Sequence, residues 1–167
     1  MPRALIVVDV QSYFIQSTPE GFVAKIVKHI KNSSYDSLIF TVFKNNSNSN
    51  FVKSLNWNSC LKDSDIQLAS ELLPFISNDK NNIYESKSTY SALKSSGLKS
   101  FLLKNNIDKL DICGIDTDAC VLATAFEAFD LGYRVNILFD LCFSTGEFEQ
   151  EAYKILRRNI IDKNNKD

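Results

Sequence analysis

Apolar runs of strand length alternate with segments of helical period through most of this 167-residue chain. The first run, residues 4–8 (ALIVV), is uninterrupted, as expected for a strand buried on both faces of a parallel sheet. Residues 22–30 place apolar side chains at helical spacing, and residues 38–43 (LIFTVF) form the next strand-like run. The alternation predicts an α/β fold: a three-layer α/β/α sandwich with a mostly parallel, Rossmann-like sheet.

The rest of the chain continues this pattern. Further strands are predicted at residues 82–85, 110–115 and 134–139, and Ile160 could start another, giving about six strands. Further helices are predicted at residues 68–76 (ending near Pro74), around 98–102, at 118–131 and at 148–158. Gly132 suits the left-handed position just after a helix. No internal repeat is visible, and the length suits one domain spanning residues 1–167.

Composition narrows the class of ligand. The chain is 44% hydrophobic and 23% charged, which is typical of soluble globular domains, and its net charge is −1. No basic block stands out, so binding to a nucleic acid or to a membrane surface has no electrostatic support. A small neutral or weakly charged molecule is the expected ligand.

The cysteines and the amino terminus indicate the compartment. Cys60, Cys113, Cys120 and Cys142 form no C-x-x-C pair, and their spacing is not that of a disulfide framework. The single histidine, His29, argues against most zinc sites. The apolar run before Asp9 is too short for a signal peptide or a membrane span. We therefore expect a cytoplasmic protein with free thiols.

Residues 44–63 differ in amino-acid composition from the segments around them. They are rich in Asn and Ser, with Phe51, Leu55 and Trp57 scattered among them. A loop of this length inside a compact domain is usually functional or disordered. The low complexity favours disorder, whereas the aromatic residues favour a lid or an interface, and both alternatives stay open.

Three reactive residues follow three predicted strands. Asp9 ends the first strand, Lys87 comes just after the third, and Cys120 follows the fourth in the first turn of a helix. Ligands of open parallel sheets bind beyond the carboxyl ends of the strands, so these side chains are expected at one edge, with Asp140 nearby. Unpaired N–H groups and the macrodipole at a helix start favour a thiolate, the nucleophilic form of cysteine.

Each of these residues also has an ordinary structural interpretation. A carboxylate at a strand end often caps a helix, a lone lysine is usually solvated, and most buried cysteines are inert. Cys113 and Cys142 are expected in the core, and Cys60 is expected to be incidental. With one histidine in the chain, a carboxylate or a lysine is the expected activator of Cys120.

Three segments resemble the signatures of a known family. Residues 7–11 (VVDVQ), 87–92 (KSTYSA) and 114–121 (GIDTDACV) look like those of the isochorismatase-like cysteine hydrolases, which include nicotinamidases and N-carbamoylsarcosine amidohydrolases. The resemblance extends from residue 5 to about residue 156. It implies an amidohydrolase in which Asp9 is the general base, Lys87 bridges Asp9 and Cys120, and Cys120 forms a thioester.

The resemblance also implies an oxyanion hole and no cofactor. The backbone N–H groups of Asp116 and Cys120 would bind the oxyanion, with a cis peptide bond between Ile115 and Asp116. Nicotinamidases hold a metal through an Asp and several His after the second strand, but residues 43–50 here read FKNNSNSN. True isochorismatases lack the cysteine. A metal-independent enzyme that cleaves a C–N bond of a small amide or ureido compound is therefore expected.

The pocket and two rival functions complete the expectations. Tyr13, Phe14, Trp57 and Tyr90 are the candidates to line the substrate pocket, with Asn45, Asn48 or Lys44 as weaker candidates for polar contacts.

Two rival functions stay open. One rival is a redox-sensing or thiol-modified small-molecule-binding protein that uses Cys120, with Cys142 as a possible partner thiol. The other is a non-catalytic oligomeric scaffold. A homo-oligomer acting on a small-molecule substrate is expected.

Overall fold

Five parallel strands form the central sheet of the computed structural model, which describes residues 1–77 and 81–161. The spatial order is β3-β2-β1-β4-β5, and every neighbouring pair is parallel. The prediction of an α/β fold around a parallel sheet is confirmed. The strands are β1 (Arg3–Val8), β2 (Ser37–Phe43), β3 (Ile83–Lys87), β4 (Lys109–Ile115) and β5 (Arg134–Phe143).

Helices surround this sheet. Phe22, Ile26 and Ile30 form one buried stripe of α2 because residues four apart lie on one helix face. No helix of the described residues is long and apolar enough to cross a membrane. The helices are α1 (Ser12–Ile15), α2 (Phe22–Asn32), α3 (Asn50–Lys53), α4 (Leu73–Ser77), α5 (Ser96–Lys104), α6 (Leu122–Asp130) and α7 (Glu149–Asn159).

The strand order creates a crevice between β1 and β4. The chain runs outward from β1 through β2 and β3, then returns to the other side of β1 as β4. Such a reversal is where open α/β sheets bind ligands. Gly114 allows the two strands to approach here, since its φ is 123° and a Cβ would lie 2.1 Å from the Val8 carbonyl oxygen.

Two predicted elements differ from the structure near the ends of helices. The sixth strand is wrong within the described residues, because the Ile160 N–H bonds to the Leu156 carbonyl and continues the last turn of α7. The helix at residues 68–76 is wrong in its extent. Pro74 lies in the first turn of α4, where a residue without an N–H is tolerated, instead of ending a helix.

The polar segment 44–63 folds onto the body of the protein. It contains α3, and Ser49 caps that helix by accepting a hydrogen bond from the Val52 N–H (3.3 Å). Asn45 and Cys60 are both buried. Cys60, which was expected to be incidental to the chemistry, is therefore a packing residue at the base of the segment.

Candidate active site

Asp9 lies directly beyond β1 and is completely buried. Its φ of 52° places it in the left-handed region, so the carboxylate leaves the strand direction as the chain turns. Its N–H donates to the Thr41 carbonyl (3.0 Å), and the Thr41 hydroxyl donates to Oδ1 of Asp9 (2.8 Å). Strand β2 thus fixes the orientation of this carboxylate.

Lys87 connects Asp9 with Cys120. It is the last residue of β3, and its side chain is only 2% exposed. Its Nζ donates to Oδ2 of Asp9 (2.7 Å), to the Thr89 carbonyl (2.8 Å) and to Sγ of Cys120 (3.5 Å). The structure therefore brings together the three residues that the sequence predicted to meet at this edge of the sheet.

Cys120 lies in an unusual turn between β4 and α6. Thr117–Val121 form one π-helical turn, closed by a hydrogen bond from the Val121 N–H to the Asp116 carbonyl (3.0 Å). Single π-helical turns are frequent at functional sites. The Thr124 hydroxyl donates to the Cys120 carbonyl (2.7 Å) and accepts from the Ala92 N–H (3.0 Å), which fixes the turn against the neighbouring loop.

Electrostatics favour a neutral thiol at Cys120 in the resting protein. Burial raises the pKa of this thiol, the Asp9 carboxylate raises it further, and the positive charge of Lys87 lowers it only in part. The loss of solvation therefore acts against the thiolate that the sequence predicts, whereas the charge of Lys87 acts in its favour. Burial alone would lower the pKa of Lys87, but Asp9 and Cys120 raise it, so the ammonium persists.

The predicted cis peptide bond is present between Ile115 and Asp116. Two backbone N–H groups are the predicted oxyanion donors. That of Asp116 is part of this cis peptide bond, and that of Cys120 lies in the turn Thr117–Val121 that follows it. The Asp116 carboxylate accepts hydrogen bonds from the Thr145 N–H (2.7 Å) and from its hydroxyl (2.9 Å).

A cavity of about 680 Å³ opens above Cys120. This volume is typical of small-molecule sites. All four pocket candidates line the cavity, namely Tyr13, Phe14, Trp57 and Tyr90. Phe43 and Phe51 complete an aromatic wall, and segment 44–63 supplies part of it.

Asp140, Lys44 and Asn48 are not on this wall. Asp140 lies inside β5, which runs on to Phe143 after a register shift against β4, and faces a separate depression that also includes His29. Lys44 is exposed and pairs with Asp63 (3.5 Å). Asn48 lines a neighbouring cleft. The expectations that Asp140 lies near the site and that Lys44 or Asn48 makes polar contacts in the pocket are therefore wrong.

A model of the isochorismatase domain matches residues 3–162 of the chain. This chain belongs to the isochorismatase family. An uncharacterized isochorismatase family protein of Bacillus subtilis is 35% identical over 73 residues, a segment that covers 42% of this chain and 40% of that relative. The alignment thus spans less than two thirds of the relative's length.

Solved structures of two family members are similar over nearly their whole length. The pyrazinamidase/nicotinamidase of Streptococcus mutans has a TM-score of 0.80 and is 26% identical, covering 95% of this chain and 97% of that one. The N-carbamoylsarcosine amidase of Thermoplasma acidophilum has a TM-score of 0.78 at 23% identity, covering 96% and 93%. At 23% identity, the similarity to the Thermoplasma acidophilum structure shows only that the two proteins share a fold.

Asn45 lies in the segment that was compared above with the metal-binding segment of nicotinamidases. Asn45 is the buried polar side chain there, and its amide is occupied within the protein. Nδ2 donates to the carbonyls of Trp57 (3.1 Å) and Ser59 (3.0 Å), while Oδ1 accepts from Asn46 and Ser49. No cluster of three or more His, Cys, Asp or Glu suited to a metal occurs in the described ranges.

The other thiols of this isochorismatase-family chain are core residues. Cys113 is fully buried inside β4, as predicted, and Cys142 donates to the Leu138 carbonyl (3.4 Å). Burial raises the pKa of Cys60 and of Cys142 to about 12. None of the three lines the cavity with Cys120 among the residues described.

Sequence reasoning missed two buried polar residues that position this site. Thr41 orients Asp9, and its signal was a single hydroxyl inside the otherwise apolar run at residues 38–43. Gln11 accepts from the Phe43 N–H (2.6 Å) and donates to the carbonyls of Phe43 (2.9 Å) and Asp65 (3.1 Å). Its amide also contacts the Cys60 sulfur (3.7 Å), so Gln11 joins the end of β2 to segment 44–63.

Proposed function

We propose that this protein is a metal-independent cysteine amidohydrolase that cleaves a C–N bond of a small amide or ureido compound. One observation carries the proposal: the buried Lys87 ammonium contacts both the Asp9 carboxylate (2.7 Å) and the Cys120 sulfur (3.5 Å) beside an aromatic cavity. A nucleophile, a base and a cation at hydrogen-bonding distances are what covalent hydrolysis of an amide requires.

In the first half-reaction the Cys120 thiol loses its proton to Asp9 as the sulfur attacks the carbonyl carbon. Because burial raises the pKa of this thiol, Asp9 is needed as a general base and not merely as a charge. The Lys87 ammonium stabilises the thiolate as it forms. The N–H groups of Asp116 and Cys120 donate to the tetrahedral oxyanion, where one such donor is typically worth about 10²–10³ in rate.

The tetrahedral intermediate then collapses to a thioester. Protonated Asp9 returns its proton to the departing nitrogen, and the amine or ammonia leaves. Asp9 next accepts a proton from water, which attacks the thioester and releases the carboxylic acid. The thiol of Cys120 is restored by that proton, so one water molecule is consumed for each C–N bond cleaved.

Family membership and the named relatives support this reaction class. One such structure, the pyrazinamidase/nicotinamidase of Streptococcus mutans, aligns over 95% of this chain. Metal independence is supported by the occupied amide of Asn45. Activity is expected to persist in EDTA; loss of turnover in EDTA that added divalent metal restores would contradict this part.

A substrate screen with ammonia or amine detection tests the proposal. The panel contains carboxamides, ureido acids and imides, each assayed with the unmodified protein and with Cys120→Ala, Asp9→Asn and Lys87→Met. We expect at least one substrate to be turned over, and each variant to lose most of that activity. Turnover that Cys120→Ala retains would contradict the mechanism.

The cellular setting of the enzyme also stays a proposal. All four cysteines are free, which suits the reducing cytoplasm. A homo-oligomer that acts on a small-molecule substrate is retained from the sequence prediction, and sedimentation velocity would test it.

A reversible Cys120–Cys142 disulfide after peroxide treatment, with no amide turned over, would favour the redox-sensing rival instead.

A further inference from the structure

Six of the thirteen residues that line the cavity above Cys120 are aromatic, and their rings pack against one another. Phe51 contacts Phe43 and Tyr90 with ring centroids 4.8 Å apart in both pairs. Trp57 lies 5.6 Å from Phe43 and 6.1 Å from Tyr13. Ring faces carry partial negative charge, and several rings around one space attract cations, quaternary ammonium groups above all.

Asp116 is the one charged residue on this wall among the residues that the structure describes. The Thr145 N–H and hydroxyl hold its carboxylate in place, each occupying one of its two oxygens. A carboxylate has about four lone-pair sites, so it retains capacity for a further donor or cation. Burial raises the pKa of the Asp116 carboxyl group, whereas the hydrogen bonds from Thr145 lower it.

The charges around the reacting sulfur do not cancel. Lys87 offsets Asp9, with which it is paired (2.7 Å), and a cysteine side chain adds no positive charge in either protonation state. The Asp116 carboxylate therefore leaves this end of the cavity with an excess of negative charge. Such a site repels an anionic substrate and attracts a cationic one, most strongly where walls of low dielectric exclude water.

We propose that the cavity binds organic cations and that Asp116 is the residue that selects them. The preferred substrates would be amides whose acyl part carries a quaternary ammonium or an N-alkylated heteroaromatic ring. The binding statement is independent of catalysis, whereas the substrate statement rests on the proposed function. Ureido acids, whose carboxylate would face Asp116, would be the poorest substrates of the expected class.

Trp57 supplies a direct readout of binding. It is the only tryptophan of the chain and lies on the cavity wall, so quenching of its fluorescence reports occupancy. Three ring carboxamides of similar size serve as probes: neutral pyridine-3-carboxamide, cationic 3-carbamoyl-1-methylpyridinium and anionic 3-carbamoylbenzoate. They are titrated against Cys120→Ala, in which turnover does not complicate binding. We expect the cation to bind about tenfold more tightly than the neutral probe, and the anion most weakly.

A second substitution in the Cys120→Ala background assigns the selectivity. Asp116→Asn should reduce the ratio of cation to neutral affinity about tenfold, since it removes the charge and keeps the shape. Asp118→Asn is the matched control, because that carboxylate lies two residues away and off the wall. Thr145→Val removes one hydrogen bond to Asp116 but no charge. Both controls should preserve the ratio.

The outcomes separate this inference from the proposed function. Equal affinity for the cation and the neutral probe in the Cys120→Ala protein would overturn the inference, whatever Asp116→Asn does. An unchanged ratio in Asp116→Asn would overturn the role of Asp116. Cation selectivity without hydrolysis of any amide would contradict the proposed function alone. A misfolded variant would be recognised because it loses affinity for all three probes. In the Cys120→Ala protein, which retains Asp116, the affinity for the cationic probe should also fall as salt is added.

Discussion

Lys87 and Cys120 respond in opposite ways to the same buried carboxylate. Asp9 stabilises the charged form of Lys87 but disfavours the charged form of Cys120, because like charges repel in a site from which water is excluded. The pKa of the Cys120 thiol is thus raised by burial and by Asp9, next to a Lys87–Asp9 ion pair. Nucleophilic activation then depends on proton transfer to Asp9 during the reaction and not on a pre-formed thiolate.

Alkylation of Cys120 by iodoacetamide tests this charge arrangement. Cys120 should react first of the four thiols because it alone among them lines the cavity in the described structure, and its rate should still rise above pH 9. Lys87→Met should move the pH midpoint upward, since a positive charge is lost. Asp9→Asn should move it downward, since a negative charge is lost. A rate plateau below pH 7, or shifts in the same direction, would contradict the account.

Replacement of Thr41 tests the orientation of the base. Thr41→Val removes the hydroxyl that donates to Asp9 (2.8 Å) and keeps the shape of a buried side chain. We expect kcat for the best substrate of the screen to fall at least about tenfold, because a hydrogen bond to a charged group is worth about 1.5–3 kcal/mol. Thr41→Ser retains a hydroxyl and should recover most of that loss. Equal activity of the Val and Ser variants would refute the positioning role.

Residues of the site differ in how far the sequence could predict them. Asp9, Lys87 and Cys120 were predictable because strand ends in a parallel sheet meet at one edge and the motifs mark those ends. Thr41 and the protonation of Cys120 were not, since both depend on which side chains pack together after folding. Burial of the thiol cannot be read from the local turn in which it lies.

At the level of elements, Gly114 determines how closely β1 and β4 approach. Both strands lead directly into the site, so their spacing sets the separation of Asp9 and Cys120. The positive φ and the contact with the Val8 backbone leave no room for a side chain. The motif that contains Gly114 was visible in the sequence, whereas the backbone contact was not.

Gly114→Ala should therefore be severely destabilising. A methyl group 2.1 Å from the Val8 carbonyl oxygen forces the two central strands apart, and we expect a loss of more than about 3 kcal/mol in the free energy of unfolding. Gly132→Ala is the matched control, since it also has positive φ (91°) but open space around it. Its cost should be about 1–2 kcal/mol, the strain of a Cβ in the left-handed region. Chemical denaturation measures both, and equal losses would rule out the contact as the cause.

The errors in element prediction share one physical cause. Ile160, Pro74 and Asp140 were assigned from short apolar runs and punctuating residues, which do not distinguish the end of a helix from the start of another element. Their surroundings decided the outcome: α7 keeps Ile160 in its last turn, Pro74 fits the start of α4, and β5 continues past Asp140. The long central strands, with strong local patterns, were predictable.

On the scale of the whole molecule, a second buried polar network lies away from the cavity. Asp111 of β4 is fully buried and accepts hydrogen bonds from Tyr35 (2.8 Å) and Asn136 (3.5 Å), and it pairs with Arg3. The Tyr35 hydroxyl donates its proton to Asp111. The hydroxyl oxygen of Tyr35 therefore accepts a hydrogen bond from Nε2 of His29 (2.8 Å). This network joins β1, β4 and β5 through charge instead of apolar contact.

Tyr35→Phe tests the contribution of this network to stability. It leaves Asp111 with one fewer hydrogen-bond donor. We expect the free energy of unfolding to fall by about 1–3 kcal/mol, with the Cys120 site intact. Tyr84→Phe is the control, because that side chain is half-exposed on an edge strand, and a change within about 0.5 kcal/mol is expected. Thermal and denaturant unfolding report both variants; an unaltered Tyr35→Phe protein would show that the network is dispensable.

The thioester on Cys120 is the central claim, and rapid-quench mass spectrometry tests it most directly. The protein is mixed with the best amide of the screen, quenched in acid within one turnover, and analysed intact and after proteolysis. We predict an added mass equal to the acyl part of the substrate, located on Cys120 and absent from Cys120→Ala. Hydrolysis at full rate with no such adduct, together with retained activity in Cys120→Ala, would contradict the account.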